Sequence, residues 1–193
     1  MKLIYTVPTL LAISLLSVKV VSPAWANLLP QKVQIIAQLD SKASALPITV
    51  ADIQQVNLEV KSLIAQGDVE GVLQYMAPFI ISETITESSN GFESVYIEGI
   101  EQHREVLTNF FNEAETEEDS EVQEISQQET IRVTPDGQLA TVTVSTVTEV
   151  TTTDDELRLI TTTDTIRFAR VQDQIKVIFY TTDSQIISHD LQE

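Results

Sequence analysis

Two titratable residues, His103 and Asp164, stand where side chains of their type can do acid–base chemistry. The chain has two histidines, and His103 is the one within a predicted element, at an otherwise apolar position of a helix. An imidazole there can act as a general acid or base near neutral pH. Asp164 shares the even-numbered face of a predicted strand with Ile166 and Phe168. A carboxyl group buried on that face gains proton affinity, as a base working near neutral pH requires.

Each of these residues also has an interpretation without chemistry. His103 can be a core histidine held by hydrogen bonds, and Asp164 can face solvent where its strand bulges. The sequence leaves both alternatives open.

Hydroxyl groups are a second set of candidates for a cavity or ligand site. A tyrosine can offer its hydroxyl to an oxyanion or a ligand while its ring packs in a core. A threonine can line a polar cavity, although β-propensity alone also explains threonine-rich strands. The residues concerned are Tyr75, Tyr96, Tyr180, Thr146, Thr148 and Thr162.

No motif in the chain defines a reaction. The spacing of histidine and carboxylate typical of a zinc site is missing, as are a glycine-rich phosphate loop and a Gly-x-Ser-x-Gly elbow. Residues 113–121 contain six acidic side chains, but the glycine of an EF-hand loop is absent, so a solvated acidic loop is the better interpretation. We therefore predict no metal, no cofactor and no assigned catalytic residue.

Three stretches have the periodicity of amphipathic helices. The first can be capped by Thr49 or Asp52 and ends at Gly67, which suits the left-handed conformation that stops a helix. The second is predicted over residues 68–76. The third covers residues 100–112 and carries His103 on its apolar stripe. These helices must supply the cover for a sheet.

The second half of the chain changes to a period of two, and valine and threonine dominate it. Turn residues divide it into four long strands, preceded by a short strand at 79–81, a polar stretch at 82–89 and a strand at 92–98. The long strands are predicted at 122–134, 138–153, 156–171 and 174–187. Their length exceeds the usual ~3–10 residues, so the sheet must coil or carry bulges.

The third long strand changes phase along its length. Its first half would bury Leu157 and Leu159 at odd positions, and its second half Ile166 and Phe168 at even positions. A bulge within residues 160–164 would bring both pairs to one face. The alternative is a sheet covered on both faces, for instance by a partner in a dimer.

The N-terminus has the pattern of a signal peptide over residues 1–26. Lys2 precedes an uncharged run, and Ala24-Trp25-Ala26 offers the small–x–small pattern that signal peptidase accepts. The run is shorter than the ~20 residues of a membrane span, so we expect no stable membrane insertion after cleavage. We predict export to the periplasm or the extracellular space, a flexible leader over 27–50, one domain over 51–187 and a tail over 188–193.

The charge of the chain excludes one class of partner. Removing the signal peptide leaves nine basic and 29 acidic residues, a formal net charge of −20. Nucleic-acid binding needs clustered lysine and arginine, so we exclude it. The chain has no cysteine, and therefore neither disulfides nor thiolate chemistry.

The order of elements resembles the nuclear transport factor 2-like superfamily, which includes SnoaL-like and ketosteroid-isomerase-like proteins. The resemblance covers about Val50 to Ile187 and is carried by three pieces together with the order of the elements. The pieces are Ala65-Gln66-Gly67-Asp68, Tyr75-Met76-Ala77-Pro78-Phe79 and Tyr96-Ile97-Glu98-Gly99.

This resemblance implies an α+β, cone-shaped, cystatin-like roll with about three helices on a curved, mainly antiparallel sheet. It also implies a cavity at the open end of the cone, toward which His103 would point, and a convex sheet face that often mediates dimers. A second internal histidine and an aspartate in an isomerase context are missing from this sequence. Fold alone assigns no activity.

Three functions remain open from the sequence. The first is an exported, non-enzymatic domain that binds a small apolar ligand or a protein partner. The second is a small-molecule isomerase, dehydratase or cyclase that uses His103 with Asp164 or a tyrosine. The third is a homodimeric structural or interaction module that pairs through its sheet.

Overall fold

A computed structural model describes residues 46–89, 91–114, 121–151 and 156–190 of the chain. The predicted signal peptide, residues 27–45 of the leader, most of the acidic loop and the last three residues of the tail lie outside the described residues. Among the described residues, no helix is long and apolar enough to cross a membrane.

The described chain contains three helices and six strands in the order that the sequence predicts. They are α1 (Val50–Ala65), α2 (Val69–Leu73), β1 (Met76–Ser88), β2 (Gly91–Glu98), α3 (Gly99–Ala114), β3 (Glu121–Val133), β4 (Leu139–Thr151), β5 (Glu156–Val171) and β6 (Gln174–Asp190). The strand β6 extends into the residues predicted as a tail.

All six strands form one curved sheet in the order β2-β1-β6-β5-β4-β3. Every neighbouring pair is antiparallel except β1 and β6, which run parallel. The predicted fold class, a few helices on a curved and mainly antiparallel α+β sheet, is confirmed.

The packed part of the domain begins before α1. Ile48 is buried, and its N–H donates to the carbonyl of Gly137 at 2.8 Å. Gly137 has a φ of +67°, and a Cβ at that position would lie 2.3 Å from Cβ of Pro47. Thr49 then caps α1 in a reciprocal capping box with Asp52. Packed structure therefore starts a few residues before the predicted boundary at residue 51.

The largest differences from the predicted elements lie in α2 and β1. The helix predicted over residues 68–76 is the five-residue α2, because Met76 already belongs to β1. The polar stretch predicted at 82–89 is almost entirely part of β1, where it pairs with β2 and β6. Its serines and threonines alternate with other residues and so suit a strand with one buried face.

The predicted bulge at residues 160–164 is wrong. β4 and β5 pair without interruption from Leu139 with Ala169 to Thr151 with Leu157. Along β5, the irregularity lies in its pairing with β6, where Arg167 faces Phe179 but Phe168 faces Val177, so that Ile178 is the extra residue.

The sheet has an inner face that packs against the helices and an outer face. The inner face contributes Val142, Val144, Ile166 and Phe168 to the core, together with apolar residues of all three helices. Because β5 is unbroken, Leu157 and Leu159 lie on the opposite, outer face. Asp164 lies on the inner face and is 2% exposed, which excludes its solvent-facing interpretation.

Candidate functional site

An internal cavity lies between α3 and the inner face of the sheet. Its volume is about 40 Å³, and most of its lining is apolar, with side chains such as Ile80, Leu107 and Ile166. Its polar lining comes from Ser82, Thr84, His103 and Tyr180. Small-molecule pockets commonly measure about 300–1,000 Å³, so this cavity has room for only a few water-sized groups.

His103 is held on both of its ring nitrogens. The helix α3 starts at Gly99, whose φ of +79° lets the chain turn from β2 into the helix. One turn later, His103 Nδ1 lies 2.7 Å from the Gly99 carbonyl oxygen, and Nε2 lies 2.9 Å from Ser82 Oγ. A carbonyl can only accept, so Nδ1 carries the proton, and the neutral ring accepts from the Ser82 hydroxyl.

Burial favours this neutral state of His103. The side chain is 6% exposed, and desolvation lowers its pKa below 6.5, while the hydrogen bond to the Gly99 carbonyl opposes this shift. His103 thus lines the cavity as a satisfied core histidine, the interpretation without chemistry. Both nitrogens are occupied by the chain's own groups.

Asp164 lies in the middle of the sheet, between Val144 of β4 and Thr182 of β6. The Tyr180 hydroxyl donates to Asp164 Oδ1 at 3.3 Å and also contacts the Thr182 hydroxyl. Burial raises the pKa of Asp164 to about 7, although hydrogen bonds from Thr182 and Tyr180 act in the opposite direction. Burial and the charge of Asp164 raise the pKa of Tyr180 well above its ordinary value.

Tyr180 connects the two titratable residues. Ser82, the partner of His103, pairs with Tyr180 across β1 and β6, and Tyr180 reaches Asp164 from the other side. His103 and Tyr180 line the cavity, whereas Asp164 is behind Tyr180 and does not line it. The structure therefore brings His103 and Asp164 to one face of the sheet without joining them in one cavity.

A row of buried hydroxyl groups continues from Asp164 across the inner face. Thr162 Oγ1 lies 3.3 Å from Ser184 Oγ, and Thr146, Thr182 and Ser184 are all buried. The sequence pattern predicts Thr146, Thr162 and Tyr180 as candidates but does not identify Ser82, Thr182 or Ser184. The signal for the last two was the alternation of Tyr180, Thr182 and Ser184 along β6.

Two other predicted candidates lie away from the cavity. The Tyr75 hydroxyl donates to Glu59 Oε2, and Tyr75 lines a separate, open groove. Tyr96 pairs with Glu83 in the β1–β2 register, while its neighbour Ile97 pairs with Ser82 and lines the cavity. Tyr96 is therefore on the outer face, where it is 42% exposed, and its assignment to the cavity is corrected.

Within the residues that the structure describes, no group of three histidine, aspartate or glutamate side chains is arranged to hold a metal ion. The geometry offers one neutral, doubly bonded imidazole and one carboxyl group that exchanges its proton near neutral pH. These groups can hold hydrogen bonds inside a core, and the raised pKa of Asp164 brings its change of charge near neutral pH.

The chain resembles known proteins in structure but not in sequence. No family model matches the chain. No curated protein matches it in sequence either. The solved structures that it resembles include NTF2-like proteins.

Three of these structures illustrate the resemblance. An NTF2-like protein of unknown function from Pseudomonas putida is 15% identical, with 69% of this chain and 84% of that chain covered and a TM-score of 0.45. A ketosteroid isomerase-like protein from Erwinia carotovora is 12% identical, with coverages of 70% and 95% and a TM-score of 0.43. A protein of unknown function with a cystatin-like fold from Nostoc punctiforme is 14% identical, with coverages of 72% and 95% and a TM-score of 0.39. At this similarity they assign no activity to the chain.

Proposed function

We propose that this protein is an exported, non-enzymatic domain that pairs with a second copy of itself through the outer face of its sheet. The proposal is carried by the contrast between the two faces. The inner face encloses a cavity of only about 40 Å³. On the outer face, the part of β3, β4 and β5 that lies between Thr141 and Val147 of β4 has few charges, and Glu149 and Asp183 lie just outside it.

We call this surface the outer patch. Strand register assigns its members, because residues paired across neighbouring strands share a face. They are Ser126, Gln128, Thr130 and Arg132 of β3, Thr141, Thr143, Ser145 and Val147 of β4, and Thr161, Thr163, Thr165 and Arg167 of β5. All of them are exposed or half-buried, and their only charges are two arginines.

Charge explains why this patch suits a second copy. The full chain carries a formal net charge of −18, so most approaches between two copies are repulsive. The twelve residues of the outer patch include no carboxylate, although Asp183 of β6 pairs with Thr163 at its edge. The two arginines of the patch attract acidic surface. Its threonine and valine methyl groups add apolar area that a partner can bury.

Binding of a small apolar ligand inside the cone is the less favoured form of a non-enzymatic function. The cavity between α3 and the sheet admits only a few atoms. Pockets for such ligands are commonly about ten times larger. We therefore place binding on the outside of the sheet.

Sedimentation equilibrium of the mature protein, residues 27–193, tests the pairing. We expect a dimer for the unaltered protein and a monomer for Thr143→Glu/Thr163→Glu, which puts two carboxylates into the outer patch. The control is Gln54→Glu/Asn109→Glu, which adds the same charge at exposed positions of α1 and α3 and should stay dimeric. A monomeric unaltered protein at its highest soluble concentration overturns the proposal, and a dimeric patch variant overturns the choice of face.

Export is the second part of the proposal and rests on the signal-peptide pattern. The intact mass of the protein from the exported fraction should correspond to a chain that begins at Asn27. Replacing Ala26 with leucine should leave the precursor uncleaved, because signal peptidase needs a small residue there. Recovery of the uncleaved chain from the cytoplasm alone would contradict export.

One observation favours a second candidate function, proton transfer on a very small carbonyl compound. Asp164 has a pKa of about 7 and does not line the cavity, but it hydrogen-bonds to Tyr180, which lines the cavity with His103 and would pass the proton. Hydroxyacetone in D₂O is a suitable probe, because NMR follows the exchange of its α-protons. Faster exchange with the unaltered protein than with Asp164→Asn supports this candidate, and exchange at the buffer rate rejects it.

A further inference from the structure

A second concavity, separate from the cavity under α3, lies at one end of the domain. It is an open groove of about 400 Å³ between the start of α1, the junction of α2 with β1, and the β5–β6 hairpin. Its polar lining includes Gln55, Gln74, Arg170, Gln174 and Lys176. This volume is in the range of small-molecule sites, unlike that of the internal cavity.

Arg170 and Lys176, the two cationic residues of the groove, lie on the β5–β6 hairpin, which has a tight turn. Val171 pairs with Gln174, and the two residues between them, Gln172 and Asp173, have φ values of 52° and 63°. Positive φ at both central residues is typical of the type I′ turn, which matches the twist of paired strands. Arg170 and Lys176 are therefore presented from a defined backbone rather than from a loose loop.

Both cationic side chains are oriented by backbone carbonyl groups. Arg170 Nε donates to the Leu46 carbonyl at 2.7 Å, and one terminal nitrogen, Nη1, donates to the Asp173 carbonyl at 3.0 Å. The Lys176 ammonium group donates to the Gln74 carbonyl. An ammonium group has three donors and a guanidinium group five, so donors remain on both residues for a ligand.

The charge of these two residues is not compensated by an ion pair. Among the described residues, no carboxylate lies within 4.0 Å of a side-chain nitrogen of Arg170 or Lys176. Arg104, by contrast, contacts both Glu70 and Glu101. Burial lowers the pKa of Lys176, so its charge is held at a cost in free energy. Two such cations are unexpected in a chain with a net charge of −18.

One carboxylate limits the charge that the groove can accept. Asp52 also lines it, with Oδ2 accepting from the Thr49 N–H at 2.9 Å and the Thr49 hydroxyl at 2.8 Å. Arg170 helps to lower the pKa of Asp52, after the two hydrogen bonds from Thr49. With two cations and one anion in its wall, the groove carries a net charge of +1, which suits a monoanion.

We propose that this groove binds a small organic monocarboxylate that carries several hydroxyl groups. Its carboxylate contacts Arg170 and Lys176, which supply charge-assisted hydrogen bonds. Its hydroxyl groups contact the side-chain amides of Gln55, Gln74 and Gln174, which can both donate and accept. This proposal is independent of pairing through the outer patch.

The probe is sodium gluconate, a polyhydroxy monocarboxylate, added to the ¹⁵N-labelled mature protein. Glucose is the matched neutral probe, and sodium chloride at equal ionic strength controls for screening. We expect saturable NMR shift changes at the side-chain amides of Gln55, Gln74 and Gln174 with gluconate alone. The absence of saturation, or equal binding of glucose, overturns the proposal.

Variants locate the site. Lys176→Gln should weaken gluconate binding by about ten-fold or more, the usual effect of losing a charged hydrogen bond. Arg170→Gln should do the same, and Arg170→Lys, which keeps the charge, should restore part of the affinity. Arg132→Gln removes a charge from the outer patch and should change nothing. Equal weakening by Lys176→Gln and Arg132→Gln refutes the site, and tighter binding of inorganic phosphate than of gluconate in the groove refutes the monocarboxylate.

Discussion

Replacing Asp164 with asparagine should remove a large part of the pH dependence of this domain's stability. The pKa of Asp164 is about 7 in the folded protein, against 3.8 for an exposed aspartate. The folded protein therefore holds this proton more tightly than the unfolded chain does. The contribution of Asp164 to stability is therefore highest below about pH 4. It falls as the pH rises and is lowest above the pKa of Asp164 in the folded protein.

The size of the effect follows from the two pKa values. Each factor of ten in proton affinity is worth about 1.4 kcal/mol, so the ionised Asp164 costs about 4 kcal/mol above pH 7. Between about pH 5 and pH 8 the free energy of unfolding should fall by roughly 2 to 3 kcal/mol. This is a large share of the ~5–15 kcal/mol that stabilises a typical domain.

Asparagine keeps the size and the hydrogen-bonding capacity of the side chain without the charge. Urea unfolding followed by circular dichroism at about pH 5 and pH 8 gives the free energy of unfolding of each variant. The control is Asp183→Asn, which removes the same charge from an exposed position on the outer face of β6. His103 has the opposite sign, because its lowered pKa costs stability as the pH falls below about 6.5. All three proteins retain it, so its contribution cancels.

We expect Asp164→Asn to be more stable than the unaltered protein at pH 8 and to lose less stability between the two pH values. Asp183→Asn should retain the pH dependence of the unaltered protein. If the free energy of unfolding of Asp164→Asn depended on pH as much as that of the unaltered protein, Asp164 would be ionised in the folded protein at little cost. Burial would then not control the pKa of this carboxyl group.

Two further predictions concern stability, both measured by urea unfolding. Gly137→Ala should cost about 2–5 kcal/mol, because a left-handed φ and a close contact with the segment before α1 add together. Gly67 has nearly the same φ, but a Cβ added there would have no atom within 4 Å, so Gly67→Ala should cost only about 1–2 kcal/mol. Equal losses in the two variants would show that the contact at Gly137 adds nothing to the cost. Ser82→Ala should cost about 1–3 kcal/mol, because the buried Nε2 of His103 loses its donor. The exposed Ser89→Ala is its control, and similar losses in both would show that the bond contributes nothing.

The long strands could be predicted closely because their signals are local. The predicted span of β5 matches the structure, and those of β3 and β4 differ from it by one or two residues at each end. Alternating β-branched residues and turn residues act within a few positions of the chain. The same holds for the capping of α1 by Thr49.

The wrong predictions concern features that a neighbouring strand determines: which residues form a strand, where a bulge lies and which face a side chain is on. The polar part of β1 is a strand because β2 and β6 pair with it on both sides. The bulge lies at Ile178 and not in β5, since β4 holds β5 in continuous register. Tyr96 lies on the outer face because of its register with Glu83. None of these partners can be identified from the local pattern.

For the candidate site, the helical stripe predicted that His103 points to the sheet, and the even face of β5 placed Asp164 with Ile166. The sequence alone also determined the type and order of the elements and the acidity of the chain. Only the tertiary structure decided that Ser82 and Gly99 occupy both nitrogens of His103 and that Tyr180 separates it from Asp164. The reason is physical: periodicity is a property of the backbone over a few residues, whereas burial, hydrogen-bond partners and pKa values depend on residues that distant segments bring together.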